Sequence, residues 1–252
     1  MFKYYHRKFF MKKFVTYFIT ALILLFLIGY VSVIFNYKPI SEDTKSYIFS
    51  NFSKKDIFFF SIVGFGNRTD QVIHRFMVDS ITFKIIGQPT FDQKRFLLKS
   101  IDTINSALKF NRLIYTPDTN AKTRITVRFW NNKEMKEKYP TKHLRGARGY
   151  CITKEMEGKV LKEMEVVIIT DKPSTTNIKS TIIHEITRVL GFFNDSEYEP
   201  KTVFSDFNQD TSFGPMDLAC VKILYNSGIQ PGVMLSIFER DLGIEDYYEK
   251  HK

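Results

Sequence analysis

From Phe14 to Tyr37 the chain carries no charged residue, and its centre, Ala21-Leu22-Ile23-Leu24-Leu25-Phe26-Leu27-Ile28, is almost purely aliphatic. A helix rising about 1.5 Å per residue needs roughly 20 such residues to cross the hydrocarbon core of a bilayer. This stretch is long enough. Lys3, Arg7, Lys8, Lys12 and Lys13 precede it, whereas Lys38, Glu42 and Asp43 follow it. Basic residues stay on the cytoplasmic side, which predicts a cytoplasmic N-terminus and a domain in the periplasm or outside the cell. A cleaved signal peptide would have an apolar core of about 7–15 residues and a small-residue cleavage site. Here the core runs on into Tyr30, Val31, Ile34 and Phe35 with no A-x-A pattern, which favours an uncleaved anchor. The expected organisation is a basic tail (1–13), a transmembrane signal anchor (14–37), a polar, irregular stalk (38–52) and one extracytoplasmic domain (53–252).

The net charge of +10 would suit a nucleic-acid binder only if it were focused on the domain. Five of the 37 basic residues lie in the tail, leaving 32 against 27 acidic ones, and no basic helix or aromatic-basic platform stands out. Nucleic-acid binding is therefore not expected. Cys151 and Cys220 are the only cysteines. An oxidising compartment would permit a disulfide between them, and two buried thiols would serve equally well.

Beyond the stalk, Ile57 to Val63 is an apolar aromatic run suited to the core. Ser80 to Ile86 alternates, with Ile81, Phe83 and Ile85 on one face, as a half-buried strand does. Thr90 and Gln93 form a capping box before a stripe of Leu97, Ile101, Ile104 and Leu108 at helical spacing. Arg124–Trp130, Tyr150–Thr153 and Met164–Thr170 read as further strands. A helix is expected from about Thr175 to Leu190, capped by a left-handed Gly191, and a last one begins at Pro215 and ends at Gly228. The fold class this predicts is α+β.

One constellation carries chemistry: His184-Glu185-Ile186-Thr187-Arg188-Val189-Leu190-Gly191-Phe192-Phe193-Asn194-Asp195. In zinc peptidases H-E-x-x-H sets two imidazoles one helical turn apart, and the Glu acts as general base. Here Arg188 stands at the second imidazole position. A guanidinium stays protonated and offers no lone pair, so it cannot be a ligand. Gly191 falls where such enzymes turn the chain out of the helix, and Asn194-Asp195 falls where they supply a third ligand. The candidate metal ligands are thus His184, Asn194 and Asp195, with zinc as the candidate cofactor. The candidate catalytic residues are Glu185, polarising a water, and Arg188, binding a substrate carboxylate or a developing oxyanion. Tyr150, His143 and His74 are available to complete a site, and Met216 stands roughly where metzincins carry their Met-turn.

The segment resembles the signature of an uncharacterised bacterial family, domain of unknown function 2927. Its members carry a His-Glu helix, usually with Gln at the second imidazole position, then Leu-Gly and an Asn-Asp pair. His184, Glu185, Leu190, Gly191, Asn194 and Asp195 match that pattern, and Arg188 departs from it. Asp217 to Tyr225, followed by Pro231-Gly232, resembles the family's closing helix and turn. The match is clear over about residues 180–235. The resemblance implies a zincin-like domain, a small mixed sheet with a His-Glu helix and a C-terminal helix, related to metallopeptidases. The expected function is a membrane-anchored, metal-dependent peptidase or amide hydrolase acting on peptide or envelope substrates. The alternative is an inactive zincin-like domain that binds a partner protein or envelope polymer.

Overall fold

The computed structural model describes residues 17–26, 39–66, 71–140, 148–171, 177–199, 201–205 and 211–247. The chain divides into two units, Met1–Lys38 and Pro39–Lys252. In the first, residues 17–26 are helical (α1) and expose Phe18, Leu24, Leu25 and Phe26. The rest of the expected anchor lies outside the described residues. Among the described residues no helix is long and apolar enough to cross a membrane.

The second unit opens with a helix where an irregular stalk was expected. Ser41 caps α2 (Glu42–Asn51) by accepting from the Thr44 N–H, and Thr44 and Ile48 are buried. Only these two inward positions betray the helix, so the segment reads as polar although it packs into the domain. Ser53 and Asp56 then form a capping box at the start of α3 (Lys54–Val63), and the expected apolar run Ile57–Val63 is this helix's core face.

The strands are β1 (Arg75–Phe76), β2 (Ser80–Gly87), β3 (Arg112–Tyr115), β4 (Ile125–Trp130), β5 (Gly149–Glu157) and β6 (Val160–Ile169). They form one sheet in the order β1-β6-β4-β2-β3, with β5 also paired to β6. All pairs are parallel except β5 with β6, which is antiparallel. The sheet is thus mixed but mostly parallel. Parallel neighbours need crossover connections, and α4 (Phe91–Ala107), opened by the expected Thr90–Gln93 capping box, connects β2 to β3. A short helix, α5 (Asn132–Lys138), follows β4. Strands β1 and β3 and helix α5 have no counterpart in the sequence reading.

Central strand β6 is buried on both faces, as its Val166-Val167-Ile168-Ile169 run requires. Met164, Val166 and Ile168 face the main core with Phe59 and Phe60 of α3, Leu97 and Ile101 of α4, and buried residues of the two helices described next. Val167 and Ile169 face a smaller cluster with Tyr150, Ile152 and Met135. Helix α6 (Ile178–Arg188) carries the His-Glu pair and is capped by Asn177, whose side chain accepts from Lys179 N–H. Residues 172–176, where its start was expected, lie outside the described residues. Helix α7 (Pro215–Asn226) begins as expected. It is not the last: α8 (Leu235–Leu242) follows and ends at Gly243 in the left-handed region.

Candidate functional site

Helix α6 buries Ile182, Ile183 and Ile186 against the sheet, and that packing fixes where its polar residues emerge. His184 sits at the rim with its side chain 15 % exposed. Its Nδ1 lies 2.6 Å from the carbonyl oxygen of Val203. A carbonyl only accepts, so Nδ1 carries the proton. Nε2 then faces Asp195, whose Oδ1 is 3.4 Å away. The same carboxylate oxygen lies 3.7 Å from Arg188 Nε, and Arg188 also donates from a terminal nitrogen to the Phe193 carbonyl at 3.3 Å. The structure therefore brings His184, Arg188 and Asp195 together around one oxygen.

A neutral Nε2 would set its lone pair against this carboxylate, whereas a protonated one would face it favourably. Burial disfavours a charged imidazole here. The Asp195 hydrogen bond and the Glu185 and Asp195 charges outweigh that burial and the opposing Arg188 charge, so the His184 pKa is raised above its ordinary value.

Glu185 is buried and lies over the first residue of β5. A Cβ on Gly149 would stand 2.5 Å from Glu185 Cγ and 2.7 Å from its Oε1, so only glycine leaves room there. Glu185 thus sits against β5, the strand that runs antiparallel on β6.

Asn194 does not join the cluster. Its Nδ2 approaches the carbonyls of Ile62, Phe65 and Gly66 at 3.3, 2.9 and 3.1 Å, tying the loop after α6 to the end of α3. It anchors the segment that presents Asp195. Gly191 has the positive φ, +121°, expected of the glycine that ends this helix, and a Cβ there would lie 2.1 Å from the His74 carbonyl oxygen. Close approach of two backbones is what requires glycine at this position. Tyr225 secures the same turn by donating its hydroxyl to the Leu190 carbonyl at 2.7 Å.

The remaining candidates stand elsewhere. Tyr150 points to the opposite face of the sheet, into the cluster of Met135 and Val167, as strand alternation from Gly149 dictates. The His74 ring is buried edge-on to Phe193. Met216 is half-buried and packs on the main core. His143 lies outside the described residues. No disulfide joins Cys151 and Cys220; Cys220 is buried within α7, and burial pushes its thiol pKa up.

Sequence reasoning missed three contributors: Gly149, Val203 and Asp217. Asp217 had one signal, its place as N3 of the Pro215 helix, where an acidic side chain reaches back to the cap. There it accepts from Gly214 N–H at 2.7 Å and also from Val203 N–H at 3.1 Å.

Zinc can be tested against this donor set. Two ligands on one tetrahedral zinc lie about 3.4 Å apart, given bonds of about 2.0–2.2 Å. The His184–Asp195 spacing of 3.4 Å matches, and a carbonyl holding Nδ1 is the usual partner of a ligating imidazole. Yet Asn194 Nδ2 is committed to the carbonyls at the end of α3, and Arg188 brings a permanent cation to the one carboxylate. Among the described residues no group of three or more His, Cys, Asp or Glu is placed to hold a metal. Catalytic zinc takes three protein ligands and structural zinc four, whereas His184 and Asp195 are two.

What the fold and site define is a mixed α/β domain with a His-Glu helix lying beside an antiparallel strand. The profile of one family, described as a protein of unknown function (DUF2927), matches residues 58–238, and the chain belongs to that family. The match takes in α6, the Asn-Asp pair and α7. No curated protein matches the chain.

Proposed function

We propose that the chain is a membrane-anchored extracytoplasmic protein whose zincin-like domain binds a partner protein or envelope polymer through a metal-free charge cluster. The observation that carries this reading is Asp195 Oδ1, which faces both His184 Nε2 at 3.4 Å and Arg188 Nε at 3.7 Å. A proton on Nε2 together with the guanidinium would set two positive groups around this one oxygen. At about 4 Å and an effective dielectric near 20, a divalent cation and Arg188 would repel by roughly 8 kcal/mol. The anchor is supported by the uncharged stretch Phe14–Tyr37, its basic flank, and the exposed apolar side chains of α1. Through such an anchor the partner would lie on the far side of the membrane from the basic tail.

A second reading is favoured by one specific observation, the zinc-compatible spacing of His184 and Asp195. It makes the domain a metal-dependent amide hydrolase with Glu185 as the base, and it requires Arg188 to swing clear. Metal analysis of the purified full-length chain beside His184→Ala and Arg188→His separates the two. The binding reading expects no stoichiometric zinc in the parent or in His184→Ala, and uptake of zinc only when Arg188→His supplies the second imidazole. One tightly held zinc in the parent chain, lost in His184→Ala, would overturn it in favour of the hydrolase.

A further inference from the structure

Asp217 lies outside the His-Glu helix but is connected to it through a single backbone segment. The residue is 1 % exposed. Oδ2 accepts from Gly214 N–H at 2.7 Å, the ordinary work of an acidic residue in the first turn of a helix. Oδ1 reaches further, to Val203 N–H at 3.1 Å. That second bond does nothing for the helix start. It fixes one peptide group of Val203, and the next peptide group presents the carbonyl that receives His184 Nδ1 at 2.6 Å. The adjoining Phe204 carbonyl accepts from Ser196 N–H at 2.9 Å, next to Asp195 in the chain. One short segment thus touches His184 and the residue after Asp195, and Asp217 holds that segment.

We propose that Asp217 is a positioning residue for His184. By pinning Val203 it aims the carbonyl that receives the Nδ1 proton, so that Nε2 stays directed at Asp195 whether the ring is charged or neutral. The proposal rests on His184 being a working residue of the site, but its geometry is independent of whether a proton or a metal occupies the gap.

The test is nitrogen NMR of the full-length chain labelled at histidine, titrated upward until the His184 signals stop moving, where the neutral ring shows its tautomer. The parent is expected to show His184 in the Nδ1–H form alone. Asp217→Asn offers one acceptor oxygen where two are needed, and it should give a mixture of the two tautomers. Ser227→Ala serves as control: it removes the hydroxyl that donates to Ile223 O at 2.5 Å, at the opposite end of the same helix. It should lower the melting temperature and leave the tautomer unchanged. A folded Asp217→Asn chain with the parent's single tautomer would overturn the proposal, as would equal mixing in Ser227→Ala. Should Asp217→Asn not fold, the parent alone decides through scalar coupling between the Val203 amide nitrogen and the Asp217 carboxyl carbon. Coupling supports the bond, and its absence removes the basis of the proposal. Metal content does not enter, so failure here is distinct from failure of the binding reading.

Discussion

At His184 two demands meet on one ring. Nδ1 is committed to the Val203 carbonyl, and Nε2 faces a carboxylate oxygen that Arg188 also approaches. Burial opposes the charged ring, yet the Asp195 hydrogen bond and the neighbouring acidic charges win, and the pKa is raised. The folded state therefore binds this proton more tightly than the unfolded chain does, and stability falls as pH rises. The contribution is fully present below the unfolded imidazole value of about 6.5 and is lost as pH climbs through the higher folded value. His184→Gln should remove this share of the slope. Thermal melts of parent and variant across that window check it, with the difference between the two curves cancelling the other histidines. A parent curve parallel to that of His184→Gln would mean that the proton is not held as the geometry implies.

The elements that carry the site meet where glycine permits. Strand β5 approaches α6 so closely that a Cβ on Gly149 would also come within 2.8 Å of Thr181 Cγ2, besides its collision with Glu185. Gly149→Ala should cost about 1–3 kcal/mol, the range for overpacking a filled interior. Gly158, in the β5–β6 turn at φ +59°, has nothing within 4 Å of its Cβ position, so Gly158→Ala should cost only about 1–2 kcal/mol from backbone strain. Denaturant midpoints separate the two when each is combined with Glu185→Ala. Relief is expected for Gly149→Ala and none for Gly158→Ala, and equal behaviour would disconnect Gly149 from Glu185. The same contacts explain what the sequence could reveal. Strand β2 was legible because its buried and half-exposed residues alternate, and α6 because its apolar stripe and His-Glu pair are local. Strand β3 is four residues long, too short to show a period, and α5 buries only Met135. His184, Glu185 and Asp195 were readable as a motif within twelve residues. Gly149 and Val203 were not, and Asp217 was readable only as a helix-start residue, because tertiary packing brings them to the site from elsewhere in the chain. Asn194 was assigned as a ligand from its place in the motif, whereas its amide serves the end of α3.

For the whole molecule, the decisive question is where the domain begins. A stalk over residues 38–52 would be dispensable to folding, but the chain from Pro39 onward is integral to the second unit. Ile40 is 4 % exposed, and its N–H donates to Asp241 Oδ2 at 3.2 Å, joining the entry of the domain to α8. Ile48 is wholly buried on α2. Each buried isoleucine contributes about 1.5–3 kcal/mol by area removed from water. A chain beginning at Pro39 should therefore melt cooperatively at the temperature of the full-length protein. One beginning at Ser53 should lose roughly 3–6 kcal/mol, a large share of the 5–15 kcal/mol that holds a typical domain folded. Denaturant unfolding of the two truncations decides between a stalk and a structural helix. Equal stability would restore the stalk, whereas loss confined to the shorter chain places the start of the domain at Pro39, immediately after the apolar stretch that we propose anchors it.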